Sequence, residues 1–378
     1  MKAMIVLENG NCYEGLSIGV PGEIIGDVVL NTSVVGYQEM MTDPANAGKI
    51  LVLTYPLIGN YGVASKFNES KKCWLAGLAI KEASRIYSNY QAEGSLTDFL
   101  KKESIVTAND IDTRTLAVDV RDNGEMPGII STKSANKSDL LAKLKDKSVK
   151  NKKDFIKNIS VKSPTEIKSG ASGPQIAVLD IGMLNSFMRQ LKTLGCNLTL
   201  LPYDTSSEEI LKLKPDGIIV SGGPEDDVSL PLITRTVKAL LGKIPMLGIS
   251  TGHQVLALAA GARLKKMKIG HHGVNYPVKG PGSMKGDITV QNHSFVVDEA
   301  SLKGKKEISV TLKNVNDETV EELESKSLKF IACQYYPSSP GFDEVNQVFR
   351  RFIGISAFKG FKNKRTVKSC GEVQYAKA

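Results

Sequence analysis

The chain has 378 residues, 41% of them hydrophobic, and a formal net charge of +9. That length fits two domains with a sizeable core, and no apolar stretch approaches the roughly 18 residues of a membrane helix. The positive charge would suit a nucleic-acid binder, but the lysines concentrate in two runs, Lys133 to Lys168 and "KGFKNKRTVK" near the C-terminus. Neither run interleaves aromatic residues as a stacking platform does, so a solvated linker and a tail account for them and no nucleic-acid partner is expected.

The opening "MKAMIVLENGNCYEG" breaks its apolar run at Glu8 and Asn9, too early for a signal peptide. Its two short runs around Asn9-Gly10 predict a hairpin. Strand-like runs follow in "EIIGDVVLNTSV" and "GKILVLTYPLIGNYG". Ser95 begins a helix in "SLTDFLKK", with Asp98 three residues on. A second helix spans "DTRTLAVDVRDNG" and stops at Asn123-Gly124. The expected organisation is a β-rich α+β domain over 1–133 and a Lys/Ser-rich connecting segment over 134–173. A domain over 174–356 and a basic tail over 357–378 complete it.

From Gln175 onward the pattern alternates. "QIAVLDIG", "NLTLLPYD", "DGIIVSGGP" and "IPMLGI" read as buried strands; "SFMRQLKTLG", "SSEEILKLK", "LITRTVKALLG" and "HQVLALAAGA" read as helices. Continuous apolar strands between amphipathic helices predict an α/β fold with a doubly wound, mostly parallel sheet. Ligands of such sheets bind beyond the carboxyl ends of the strands, where Ser250 and the Gly222-Gly223 turn fall.

Gly248-Ile249-Ser250-Thr251-Gly252 is a G-x-S-x-G pattern at a strand-to-helix turn. Ser250 is therefore a candidate nucleophile, with backbone N–H groups near Thr251 and Gly222-Gly223 as oxyanion donors. A structural serine at a tight turn fits the pattern equally well. A serine also needs a base, and the chain has four histidines. His253 lies in the helix after Ser250, where it packs or bonds locally. His271-His272 occupy a Gly-flanked stretch read as a loop. Ser250, Asp287 and His293 satisfy the hydrolase order formally, but the late strand "KFIACQYYPSSPG" carries no histidine. No acidic or cysteine partner stands at ligand spacing from His271-His272, so no metal is expected. The five cysteines are scattered and form no C-x-x-C pair; a reduced, cytoplasmic protein is the simplest expectation.

Several long stretches in one order resemble the carbamoyl phosphate synthase small-subunit family, class I triad-type glutamine amidotransferases. In the first domain they are "VVLNTSVVGYQEMMTDP", "LTYPLIGNYG", "SNYQAEGSLTDFL" and "IDTRTLAVDVRDNG". In the second they are "PDGIIVSGGPEDD", "PMLGISTGHQVLALAAGA", "KIGHHGVNYPV" and "VQNHSFVVDEA". The resemblance implies a class I glutamine amidotransferase-like second domain. It also implies a large synthetase subunit as partner, which holds the ATP and Mg; this chain has no phosphate loop and needs no cofactor of its own.

The departures fall on the chemistry. The family's elbow cysteine is Ser250, its histidine base is Tyr336, and its orienting glutamate is at or near Ser338, with one residue fewer in that stretch. In the implied glutamine pocket, Glu225 replaces a glycine beside the retained Gly223, Ala45 replaces a serine, and Ser294 replaces a glycine. Gln254, Asn292 and Phe295 match the family, and Thr251 follows the elbow residue. These changes weaken the case for L-glutamine binding and imply a lost glutaminase. The open alternatives are residual hydrolysis through Ser250, or a repurposed serine hydrolase or binding module built on the elbow.

Overall fold

The structure, a computed structural model, describes residues 1–146, 153–341 and 344–356. The basic tail expected at 357–378 lies outside them.

The first seven strands are β1 (Lys2–Leu7), β2 (Cys12–Ser17), β3 (Glu23–Asn31), β4 (Lys49–Ile58), β5 (Gly77–Ala83), β6 (Val106–Asn109) and β7 (Pro127–Ser131). They close into a barrel in the order β1-β2-β6-β5-β4-β3-β7. The β1–β2 turn is the hairpin that Asn9-Gly10 predicts, with Gly10 at φ 91°. Glycine adopts that left-handed conformation without the Cβ penalty of other residues. The two expected helices form as Leu96–Lys102, where the Ser95 side chain accepts from the Asp98 N–H, and Thr113–Asn123.

The second sheet comprises β8 (Thr165–Ile167), β9 (Gln175–Leu179), β10 (Asn197–Leu201), β11 (Gly217–Val220), β12 (Met246–Ile249), β13 (Leu264–Lys279), β14 (Gly286–Val297), β15 (Ser309–Asn314), β16 (Val320–Ser325) and β17 (Phe330–Cys333). Its order is β14-β13-β15-β16-β17-β12-β11-β9-β10-β8. The block β10-β9-β11-β12-β17 is parallel throughout. Alternate residues of its strands enter opposite cores: Ile176 and Val178 pack with Phe187, Phe349 and Phe352, while Ala177 and Leu179 pack with Ile233, Val237 and Leu256. Both faces are covered, so the buried positions of these strands carry apolar residues or glycine.

Two features differ from the sequence reading. The stretch around His271-His272 is part of the long strand β13, antiparallel to β14 with His271 opposite His293 and His272 opposite Asn292. Its polar side chains hide the strand periodicity, because both faces of this hairpin are occupied by hydrogen-bonding partners. The Lys/Ser-rich segment also carries structure where described. Leu140 and Leu144 of the helix Lys137–Lys145 are buried beside Met4 and Val6, and β8 pairs with β10 at the sheet edge.

The two domains meet through buried polar groups. Glu125, just before β7, accepts from the Gly270 N–H (2.7 Å), the His272 Nε2 (2.9 Å) and the Ser294 hydroxyl (2.8 Å). Burial opposes its charge, but His272 and these donors outweigh that and hold its carboxyl at about 2, below its ordinary 4.5. A depressed carboxylate stabilises the fold above its unfolded pKa and loses that contribution as pH falls through the folded one. The stability gap between wild type and Glu125→Gln should therefore be full at pH 7 and shrink as pH drops from 4.5 towards 2. Urea unfolding across that range measures it; a gap independent of pH would refute the assignment.

Candidate functional site

Adjacent strands place three turns side by side, at the carboxyl ends of β11, β12 and β17. The turn after β11 carries Gly223 and Glu225, that after β12 carries Ser250, and that after β17 carries Tyr336 and Ser338. This is the edge at which doubly wound sheets bind their ligands.

Ser250 has φ 54° and ψ −113°, strained for a non-glycine residue. The helix Thr251–Ala259 follows at once, and Gly248 and Gly252 make the bend possible. A Cβ on Gly252 would stand 2.0 Å from the Val220 carbonyl oxygen, and one on Gly248 2.5 Å from that of Gly252. The Ser250 N–H is tied to the Cys333 carbonyl (2.8 Å), and the Thr251 hydroxyl donates to the Gly223 carbonyl (2.6 Å). The elbow is thus fully formed. Its hydroxyl is fully buried and makes no hydrogen bond among the described residues.

The four imidazoles are all placed elsewhere. His253 is fully buried, its ring nitrogens have no well-formed hydrogen bond among the described residues, and burial, outweighing the nearby Ala332 backbone, pushes its pKa down to about 4. His271 meets Gln291 and Asp317, and His272 meets Asn292 and Glu125. His293 meets the Phe295 carbonyl and Gln291. The formal order Ser250, Asp287, His293 is not assembled: Asp287 is exposed, pairing in register with Val278, and His293 is fully buried on other partners.

Tyr336 donates its hydroxyl to Asp43 Oδ2 (2.7 Å) across the domain boundary. Burial and then the Asp43 charge raise its pKa well above that of an ordinary tyrosine, so it keeps its proton at neutral pH. Asn292 Nδ2 donates to the same Asp43 oxygen (2.9 Å) and to Asn46 Oδ1 (3.1 Å). Asn292, Tyr336 and Ser338 line an inter-domain cavity of about 240 Å³ with Asp43, Glu39 and Glu69. Burial raises the pKa of all three of these carboxyls. Ser338 itself is half-buried, and its carbonyl accepts from Asn346 Nδ2 (2.9 Å).

Glu225, in the turn after β11, draws three donors of the site onto its carboxylate. Its Oε1 accepts from Gln254 Nε2 (2.5 Å) and the Phe295 N–H (3.2 Å), and its Oε2 from the Ser294 N–H (2.7 Å). Three residues expected to receive a ligand therefore receive a side chain of the protein instead. Ala45, Glu225, Ser294 and Phe295 line a second cavity of about 140 Å³. Gly223 admits no side chain, since a Cβ there would stand 1.9 Å from the Ile181 carbonyl oxygen. The sequence did not point to Asp43 and Glu125, which organise both sides of the site. Asp43 was visible only as a family-like residue beside Ala45, and Glu125 carried no local signal.

Two family patterns cover most of the chain: "Carbamoyl-phosphate synthase small chain, CPSase domain" matches residues 5–130, and "Glutamine amidotransferase class-I" matches residues 177–354. The chain is 38% identical over 359 residues to a carbamoyl phosphate synthase small chain of Chlorobaculum tepidum, covering 94% of this chain and 98% of that protein. It is 39% identical over 355 residues to that of Staphylococcus saprophyticus, covering 94% and 96%. It is also 39% identical over 354 residues to the pyrimidine-specific small chain of Bacillus subtilis, covering 93% and 95%. With its elbow, its paired turns and this likeness over nearly its whole length, the chain belongs to the carbamoyl phosphate synthase small-chain family.

Proposed function

We propose that this chain is a small subunit of carbamoyl phosphate synthase that no longer hydrolyses glutamine. It docks on a large, ATP-dependent synthetase subunit as a structural or regulatory partner, and that subunit makes carbamoyl phosphate for arginine and pyrimidine synthesis from free ammonia. The observation that carries this reading is the isolation of Ser250: its hydroxyl has no hydrogen-bond partner among the described residues, and the residue at the base position, Tyr336, spends its proton on Asp43.

Magnitudes favour loss over slow turnover. A cysteine at this elbow would gain thiolate character from the helix terminus and a nearby imidazole, whereas a serine hydroxyl needs a base to take its proton. Losing either nucleophile or base costs on the order of a millionfold in an enzyme of triad logic. Glu225 adds a second obstacle, because the three donors that would hold an incoming carboxylate or amide are already occupied.

With the large subunit present, ammonium should support carbamoyl phosphate formation and glutamine should not exceed the nitrogen-free control. Glutamine-dependent turnover that disappears in Ser250→Ala would overturn the proposal. The strained elbow backbone favours one rival reading, hydrolysis through Ser250; that reading requires an acyl adduct on Ser250, which intact-mass spectrometry would detect.

Glu225→Ala should lose about 1–3 kcal/mol, because the Ser294 and Phe295 N–H groups and the Gln254 amide are left unpaired. Thermal unfolding would register this loss. Millimolar L-glutamate should raise the melting temperature of that variant and leave wild type unmoved. Rebuilding the family triad as Ser250→Cys, Tyr336→His and Ser338→Glu should restore little glutaminase activity. Adding Glu225→Gly to those three should restore more, and equal rates from the two variants would show that Glu225 is no obstacle.

A further inference from the structure

The antiparallel end of the second sheet contains a buried cluster that glutamine chemistry does not use. His271 on β13, Gln291 and His293 on β14 and Glu321 on β16 converge there. His271 Nδ1 lies 3.6 Å from Glu321 Oε1, and His293 Nε2 lies 3.8 Å from the same oxygen. Gln291 Oε1 stands between the rings, 2.7 Å from His271 Nδ1 and 3.2 Å from His293 Nε2. The outward nitrogens also face oxygens: His271 Nε2 lies 3.1 Å from Asp317 Oδ2, and His293 Nδ1 lies 3.1 Å from the Phe295 carbonyl.

The two rings carry fewer hydrogens than the oxygens around them could accept. Two neutral imidazoles own one N–H each, yet all four ring nitrogens face oxygen acceptors. The Asp317 carboxylate and the Phe295 carbonyl cannot donate, so they claim the two N–H groups. His271 Nδ1 and His293 Nε2 then turn lone pairs towards Gln291 Oε1 and Glu321 Oε1; the donors that reach this centre are the Asn314 amide, 3.3 Å from His271 Nδ1 and 3.5 Å from Gln291 Oε1, and the Thr319 hydroxyl, 3.3 Å from Glu321 Oε1, and neither meets His293 Nε2. Gln291 Nε2 donates to the Thr289 hydroxyl, which donates onward to the Tyr276 carbonyl, and this orients Oε1 towards the rings. Glu321 is fully buried, and its second oxygen has no hydrogen-bond partner among the described residues.

We propose that these four side chains form a structural site for a divalent transition metal of the zinc class, bound through His271 Nδ1, His293 Nε2, Glu321 and Gln291 Oε1. The donor set suits such an ion. Metal–ligand bonds of about 2.0–2.2 Å put tetrahedral ligands about 3.3–3.6 Å apart; the 3.6 and 3.8 Å from the two histidines to Glu321 and the 3.2 Å from Gln291 to His293 lie close to that, while the 2.7 Å from Gln291 to His271 has to open on binding. Both histidines direct their other nitrogen at an oxygen acceptor, the arrangement that fixes tautomer and ring orientation around bound metals. Four protein ligands leave no open position, so the site braces the β13–β14 hairpin against β16. The sequence offered no such partner because Glu321 arrives from a strand far along the chain, while the neighbouring His272 points to the opposite face.

The test uses the full-length chain, stripped with chelator and then titrated with Zn(II) and, separately, with Co(II). One equivalent should bind, the melting temperature should rise, and the cobalt protein should show the intense visible absorption of a tetrahedral site. His293→Ala and Glu321→Gln should abolish uptake. Asp317→Asn, which disturbs only the acceptor behind His271, should weaken binding about 10–100-fold. The proposal fails if the wild-type chain retains no metal after gel filtration with its melting temperature unmoved. It also fails if metal is retained equally by the Glu321→Gln variant.

Discussion

The arrangement of the candidate site depends on one carboxylate. Glu225 gathers the side-chain amide of Gln254 and the consecutive N–H groups of Ser294 and Phe295, and buried donors of this kind are costly to leave unpaired. With a glycine in its place, those donors would have to wait for water or for a ligand. The glutamate makes the empty pocket self-sufficient. It also ties the turn after β11 to β14, so the two halves of the pocket are joined by the group that fills it.

The exchange at Tyr336 follows the same logic. A phenol is longer than an imidazole, and here its length carries the hydroxyl across the domain boundary to Asp43. Asp43 also receives Asn292 and caps the short helix Pro44–Asn46 through the Ala45 N–H. Tyr336 is thereby part of the joint between the domains. Glu125 makes a second joint of the same kind through Gly270, His272 and Ser294. Residues in the pocket therefore hold the domains in register, and a docking subunit would meet a body whose halves are already locked.

The parallel core was legible from sequence because both of its faces are buried, which leaves continuous apolar runs between amphipathic helices. The hairpin at Asn9-Gly10 and the helix cap at Ser95 were legible because each is decided within four residues. The antiparallel extension was not. Strands β13 and β14 carry histidine, asparagine, glutamine and glycine where an alternating pattern would show apolar residues, since their partners are polar groups brought from elsewhere in the chain. For the same reason Ser250 and Tyr336 could be placed at the site from motif likeness alone. Their isolation from every imidazole, and the capture of Glu225 by Gln254, Ser294 and Phe295, depended on contacts between distant segments.

Strand β14 shows how these parts are coupled. Side chains of a strand alternate between its two faces. Gln291 and His293 look inward to His271 and Glu321, while Asn292 and Ser294 look to Asp43 and Glu125 on the other domain. The opposing strand repeats the division, with His271 on the cluster side and His272 on the domain joint. A rigid cluster on one face fixes the height and twist of the strand, and with them the reach of Asn292 and Ser294 on the other. The backbone N–H groups that hold Glu225 belong to this same short segment. Anything that loosens the cluster should therefore be felt first at the domain joint and the filled pocket, ahead of the parallel core, whose strands are held by apolar packing on both sides.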